Sequence, residues 1–302
     1  MSAWLSYAFA LLIWPGLLGG VLLGWFYLWF MRKFTARVQG RQGPPFYQPF
    51  FDFVKLLGKE TVIPANFNRI LFFALPLISL VSVVFALGLL PVPGNPIRTF
   101  PGDLIVFVYL LEMPAFCEII AGFATRSPYG QVGAAREAMM TLAYNLPFLA
   151  AVIALAIHAQ SYSMAVLSET PWSWVTLAAA IAFALALPAR LKSNPFSIAN
   201  AEQEVIAGAH TEFNGLALAI FELSHSLELV TLISLFALLL VAPVTQGALT
   251  WIAFFVVSML LLVLVTLIAN ATARLKLNQA FKFYWRWGAA AAALAVLIAF
   301  IG

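Results

Sequence analysis

The sequence predicts an all-α integral membrane protein, with about eight transmembrane helices plus a short amphipathic cytoplasmic helix. Three observations carry this. Of 302 residues, 63% are hydrophobic and only 9% charged, with a mean hydropathy of +0.97, a balance outside the range of soluble domains. Several apolar runs reach about 20 residues, the length that crosses a hydrocarbon core. The basic residues, finally, collect in alternate connecting loops, as the positive-inside rule requires.

The spans fall at about 4–30, 70–91, 104–123, 132–157, 173–190, 215–241, 249–270 and 287–301. The first Lys or Arg is Arg32, so the opening run lacks the basic flank of a signal peptide and reads as a retained helix. Loops 31–69, 124–131, 191–214 and 271–286, with helix-end Arg190, hold 14 of the 16 Lys and Arg residues. The opposite loops hold Arg98, and Arg136 lies within a span. This asymmetry places both termini outside and the odd-numbered loops in the cytoplasm. The net charge of +4 is thereby accounted for as topology, without nucleic acid. No internal repeat or linker divides the chain, so residues 1–302 read as a single polytopic membrane domain.

Composition also bounds the chemistry. The one cysteine, Cys117, cannot form an internal disulfide or hold an iron–sulfur cluster, and its apolar surroundings favour packing. His158, His210 and His225 are far apart and lack metal-ligand spacing, so no metal site is expected. No phosphate loop, dinucleotide fingerprint or haem signature occurs. No catalytic residue is assigned, and any redox cofactor belongs to other subunits.

The stretch GRQGPPFYQPFFDFVKLLGKE, Gly40 to Glu60, follows the first span. Gly43-Pro44-Pro45 forces an extended turn, and Pro49 then opens a helix of about 12 residues. Asp52, Lys55 and Lys59 form a polar stripe opposite Phe50, Phe51, Phe53, Val54 and Leu57. An interfacial anchor and a docking platform for a cytoplasmic partner both fit this pattern.

Five of the 12 acidic residues fall inside spans: Glu112, Glu118, Glu137, Glu222 and Glu228. Each costs about 2.5–3.5 kcal/mol to insert, so such residues generally serve a function. By helical rise, Glu118, Glu137 and Glu222 lie roughly 7–9 Å from the cytoplasmic ends, with Glu112 and Glu228 near mid-membrane. His225 stands between Glu222 and Glu228 at i+3 spacing on one broad helix face. Arg136 adjoins Glu137, and one helix cannot turn both towards lipid; an ion pair of Arg136 with a neighbouring Glu and a part in an ion path both fit. A partly hydrated path for protons or cations explains this layering; ion pairs stitching helices together are the competing explanation. In the loop LKSNPFSIANAEQEVIAGAHTEFN, Asn200 with Gln203 reads as a helix N-cap. Glu202 and Glu204 then occupy the first turn, favoured by the helix dipole, and Glu212 follows.

Together these stretches resemble the H-type membrane subunit of respiratory complex I and its counterparts in membrane-bound [NiFe] hydrogenases. Gly40–Glu60 is similar to the family's R-x-GP…QP-x-x-D-x-x-K-L-x-x-KE element. SPYGQVGAAREAMM (127–140), NPFSIANAEQEVIAGAHTEFNG (194–215) and, more weakly, ARLKLN (273–278) follow in the family's order. Glu137 after Arg136, the ARLKL ending and FELSHSLELV lean towards the energy-converting hydrogenase and formate hydrogenlyase type.

The resemblance implies a polypeptide without a redox centre, in a prokaryotic cytoplasmic membrane, that anchors a hydrophilic arm and couples its chemistry to proton or sodium movement. Implied partners are hydrogenase-like large and small subunits, an iron–sulfur subunit and antiporter-like membrane subunits. They would carry iron–sulfur clusters and a [NiFe] centre; a quinone-reducing or sulfur-reducing complex is the alternative, with quinone as its possible ligand. Carried over by position, Arg41, Asp52, Lys55, Glu202, Glu204 and Glu212 belong to arm docking and its cavity. Glu112, Glu118, Arg136, Glu137, Glu222, His225 and Glu228 are the candidates for ion translocation. Asn145, Ser197, Asn200 and Asn278 stand where the family usually has an acid. Asn145 lies at the depth of Glu112 and Glu228, which suggests a relocated carboxylate. From other classes, an autonomous transporter would need paired broken helices, which are not visible, and a passive scaffold would use buried charge only to hold helices together.

Overall fold

The computed structural model describes residues 3–65, 67–95, 100–241 and 248–301. Every element among these residues is helical. α1 (Ala3–Leu12) and α2 (Leu17–Val38) open the chain, and the amphipathic α3 (Gln48–Leu57) follows with Pro49 in its first turn. α4 (Arg69–Leu89) begins at Asn68, whose side chain accepts a hydrogen bond from the Ile70 amide at 2.8 Å. α5 (Asp103–Ala124), α6 (Pro128–Ala159) and the short α7 (Met164–Glu169) lead to α8 (Trp174–Arg190), capped by Ser173. The 191–214 loop contains α9 (Glu202–Val205) and a 3-10 turn at Gly208–Glu212. α10 (Gly215–Val241), α11 (Ala248–Ala271), α12 (Leu277–Phe283), a π turn at Tyr284–Gly288 and α13 (Ala289–Ile301) complete the bundle.

Seven helical segments are long and apolar enough to cross a membrane, and α8 is a shorter eighth. Most expected boundaries hold within a few residues, with two corrections. The last span, placed at 287–301, begins ten residues earlier at Leu277, where α12, the π turn and α13 run on as one helical segment. The span placed at 4–30 is two helices broken around Trp14-Pro15, and the second runs on to Val38. Pro15 cannot donate to the helical ladder, so the break belongs there, while Arg32, Lys33 and Arg37 extend α2 beyond its apolar part. The Asn200 cap is also corrected: α9 starts after Ala201, without a side-chain cap. Arg98 lies outside the described residues.

α10 is the hub, packing on α2, α3, α4, α8 and α11, and most of its residues are buried. The basic loops share one end of the bundle. There Asn214 bonds both backbone groups of Val62, Gln39 bonds Asn270, and Arg274 donates to Ser197. At the other end Asp103 accepts from the Met164 amide at 2.7 Å, and Trp14 donates to the Pro93 carbonyl at 2.9 Å. Alternation of the loops between two ends is therefore built into the packing.

Candidate functional site

The charges inside this bundle are held by short connections between distant segments. α8 has 17 residues and reaches only about 25 Å, less than a hydrocarbon core. Its terminal Arg190 consequently stays inside the bundle, with a side chain 1% exposed. One Nη1 donates to Glu112 at 2.6 Å and to Asn145 at 3.3 Å, while Nη2 donates to the Leu111 carbonyl at 2.8 Å. The guanidinium also lies 4.4 Å from the centre of the Phe148 ring, a cation–π contact. Asn145 donates its amide to Glu112 at 2.8 Å. Glu112 is thus held by side chains of two other helices, α6 and α8.

Two residues on, Lys192 turns the chain back with φ of 50°, the left-handed conformation that costs a non-glycine residue about 1–2 kcal/mol. Its ammonium bonds Glu118 of α5 and lies 3.7 Å from Glu137 of α6. Burial alone would lower the affinity of Lys192 for its proton. The carboxylates of Glu118, Glu137 and Glu228 more than offset this and hold its pKa well above the ordinary lysine range. His210, from the 3-10 turn, approaches Glu118 at 3.7 Å and stacks on Phe221 at 5.0 Å. Burial pushes its pKa below the ordinary histidine value despite the pull of Glu118. One oxygen of Glu137 and Nε2 of His210 are buried without a hydrogen-bond partner, a place suited to ordered water.

α10 supplies the third part. His225 lies 3.8 Å from Glu228, whose side chain is 7% exposed. Glu222, nearly two turns earlier, is exposed and faces elsewhere. It lines a cavity of about 210 Å³ with Trp25, Arg32, Asp52 and Leu56, under α3. The expected layer of Glu118, Glu137 and Glu222 is therefore Glu118 and Glu137 alone, because the 3.6-residue period turns Glu222 to the other flank of α10. Glu112, Glu118, Glu137 and Glu228 share two permanent cations, Arg190 and Lys192. Such a ladder has room for protons or other cations among its carboxyl groups.

The basic end carries the remaining candidates. Asp52 receives hydrogen bonds from Arg32 and Gln48, both at 2.8 Å. Slight burial would raise its pKa; those two bonds outweigh it and hold the carboxyl below the usual range. Phe50 and Phe53 pack on Trp25, while Lys55 and Phe51 point outward. Arg41 bonds Gln39, Glu212 ends the 3-10 turn partly exposed, and Glu202 opens α9 with its side chain outside the described residues. Arg136 does pair with a Glu, but one from the connecting loop. It bonds Glu204 of the loop at 2.5 Å, because successive helix residues point about 100° apart, so Glu137 turns into the ladder and Arg136 towards the 191–214 loop. Arg190 and Lys192 stand out in the sequence only as topology signals. The short span before them, together with an excess of acids in the other spans, is the available clue to their depth.

A bundle of membrane-spanning length with a charged interior defines a multi-pass membrane protein. The chain matches the NADH dehydrogenase family over residues 11–300 and belongs to it, as a membrane component of the H type found in complex I-like assemblies. It is 28% identical over 250 residues to the H subunit of the NADH-quinone oxidoreductase of Syntrophotalea carbinolica, covering 76% of each chain. It is also similar to a chain of the archaeal membrane-bound sulfane sulfur reductase, a respiratory membrane complex. That match has a TM-score of 0.85 and 27% identity, covering 97% of this chain and 99% of the other.

Proposed function

We propose that this protein anchors the hydrophilic arm of a ferredoxin-linked, [NiFe] hydrogenase-type complex and couples the arm's redox chemistry to proton or sodium movement. The observation that carries this is the placement of Lys192. It belongs to the same connecting segment as the acidic loop, yet its ammonium sits between buried carboxyls of two spans. A change at the loop therefore reaches the membrane interior through a single side chain. Glu137, which separates the hydrogenase pattern from that of complex I, is one of those two carboxyls. In this reading the basic end faces the cytoplasm, both termini lie outside, and iron–sulfur clusters and the [NiFe] centre reside in partner subunits. In this reading Glu222, in the cavity under α3 and on the opposite flank of α10 to Glu228, receives the ion. Close likeness along nearly the whole chain to a sulfane sulfur reductase component supports a second reading, an arm that reduces sulfur compounds. Nickel content and acceptor preference of the purified complex separate the two.

The coupling role is tested with Glu112→Gln, Glu222→Gln and Glu228→Gln, measuring acceptor reduction and ion uptake in the same proteoliposomes. Gln keeps the shape and hydrogen bonding but cannot exchange a proton. Electron transfer should continue at a reduced rate while the ions moved per electron fall to less than half. Normal coupling in all three variants would assign the carboxyls a structural role only.

For arm docking, Asp52→Ala with Lys55→Ala should leave the protein in the membrane and cut the arm subunits that co-purify with it severalfold. The first change frees Arg32, and the second removes an outward charge. An arm retained in full would leave α3 as an interfacial anchor.

A further inference from the structure

A second charged feature lies outside the ladder, on the rim of the basic end. Between α6, the 191–214 loop and the start of α12 is a cavity of about 300 Å³ whose lining includes Arg136, Arg274, Lys276, Glu204, Leu277 and Asn278. Three cations face one carboxylate here, and Glu204 is already engaged by Arg136. Arg274 has a neutral partner, donating Nε to the Ser197 hydroxyl at 3.2 Å. Asn278 contributes an amide and no charge. The imbalance continues along the chain, since residues 229–302 contain Arg274, Lys276, Lys282 and Arg286 and no acid.

The cations are held in place. The Leu275 amide donates to the Pro195 carbonyl at 3.0 Å, tying residues 274–276 to the loop on either side of the cavity. The Lys276 amide is capped by Gln279 at 3.0 Å, which fixes the start of α12. From there the helix runs into aromatic residues. Phe281 contacts Trp285 at 5.8 Å, and Trp285 and Trp287 are 53% and 65% exposed. Trp285 is eight residues beyond Leu277, about 12 Å along a helix. Exposed Trp beside Lys and Arg marks the level of the lipid headgroups. Past the π turn, Leu294, Leu297 and Phe300 of α13 present an apolar face to the bilayer.

We propose that this cavity binds the phosphate of an anionic phospholipid. Arg274 and Lys276 would take the phosphate oxygens, and the acyl chains would descend beside Trp285 and along α13. Guanidinium groups match phosphate geometry through paired donors, and lysine adds a point charge. The aromatic belt lies about 12 Å along the helix from the cavity, on the bilayer side, so a lipid packed beside Trp285 reaches the cations with its headgroup. The inference concerns the rim and is independent of which acceptor the arm reduces.

The test uses the full chain, purified and delipidated in detergent, with native mass spectrometry reading bound lipid. Dioleoyl phosphatidylglycerol and dioleoyl phosphatidylcholine serve as probes with matched chains. Phosphatidylglycerol should bind at a roughly tenfold lower concentration than phosphatidylcholine, and R274Q with K276Q should abolish that preference. Arg274→Lys should retain most of it, and Arg69→Gln, an exposed cation of the same end, should leave it intact. If the double variant fails to fold, the exposed single change Lys276→Gln decides, with a roughly threefold loss expected. Equal binding of the two lipids overturns the proposal and leaves the cavity to an acidic protein segment. An equal loss in Arg69→Gln overturns it in favour of diffuse charge. Displacement of the lipid by millimolar inorganic phosphate overturns it in favour of a free-anion site.

Discussion

Replacing Arg190 with Met should destabilise the bundle by about 3–5 kcal/mol, the cost of removing one partner from a buried ion pair. Met fills a similar volume against Phe148 and Tyr144, so little of the loss comes from packing. What remains is Glu112, deprived of its guanidinium and left with the Asn145 amide. The Leu111 carbonyl loses its donor as well. Thermal unfolding of the detergent-purified protein, followed by tryptophan fluorescence, should show a fall of roughly 10 °C. Adding Glu112→Gln to Arg190→Met should recover more than half of it, because the amide removes the stranded charge. If Arg190→Met alone loses less than about 1 kcal/mol, water reaches this site and the pair is not buried as described.

Gly133→Val should release the acidic loop. A Cβ on Gly133 would stand 2.5 Å from the Gly208 Cα and 2.9 Å from its carbonyl carbon. Those are backbone atoms with no rotamer to move. Gly208 is itself fixed, with φ of 57° and its own Cβ position 2.4 Å from the Ala199 carbonyl oxygen. The loop must therefore lift from α6, at a local cost of about 3 kcal/mol or more. Limited proteolysis within 191–214 should accelerate at least tenfold, with Gly133→Ala intermediate and the melting of the membrane spans little changed. Cleavage at the wild-type rate would show that the loop is held elsewhere.

The spans are legible in the sequence because an apolar run of membrane length has few alternative folds. Glu112, Glu118, Glu137 and Glu228 are legible too, since a carboxyl in such a run is conspicuous. Their partners are less visible. Arg190 and Glu112 are 78 residues apart, and Lys192 and Glu118 are 74 apart, so only tertiary packing brings them together. Arg136 misleads for a related reason. Position along a helix gives depth but not direction, and Arg136 points towards the 191–214 loop while Glu137, one residue on, points into the ladder. Glu222 shows a further limit, since an i+3 series spans a face broad enough for its two ends to meet different neighbours. The break after α1 is signalled by Pro15, but hydropathy runs through it.

Both counter-charges of the ladder come from the same three residues, 190–192, and this bears on biogenesis. Glu112, Glu118 and Glu137 are all synthesised before either cation exists. At about 5–20 residues per second, Glu112 precedes Arg190 by roughly 4–16 s. During that interval α5 and α6 carry three carboxyls with neither permanent partner available, and their antiparallel packing leaves those groups facing a gap. The arrival of α8 closes the gap and delivers Arg190 and Lys192 together. Membrane insertion of this protein therefore has a late committing step, and a nascent chain halted before residue 190 is the form that a quality-control protease would find incomplete.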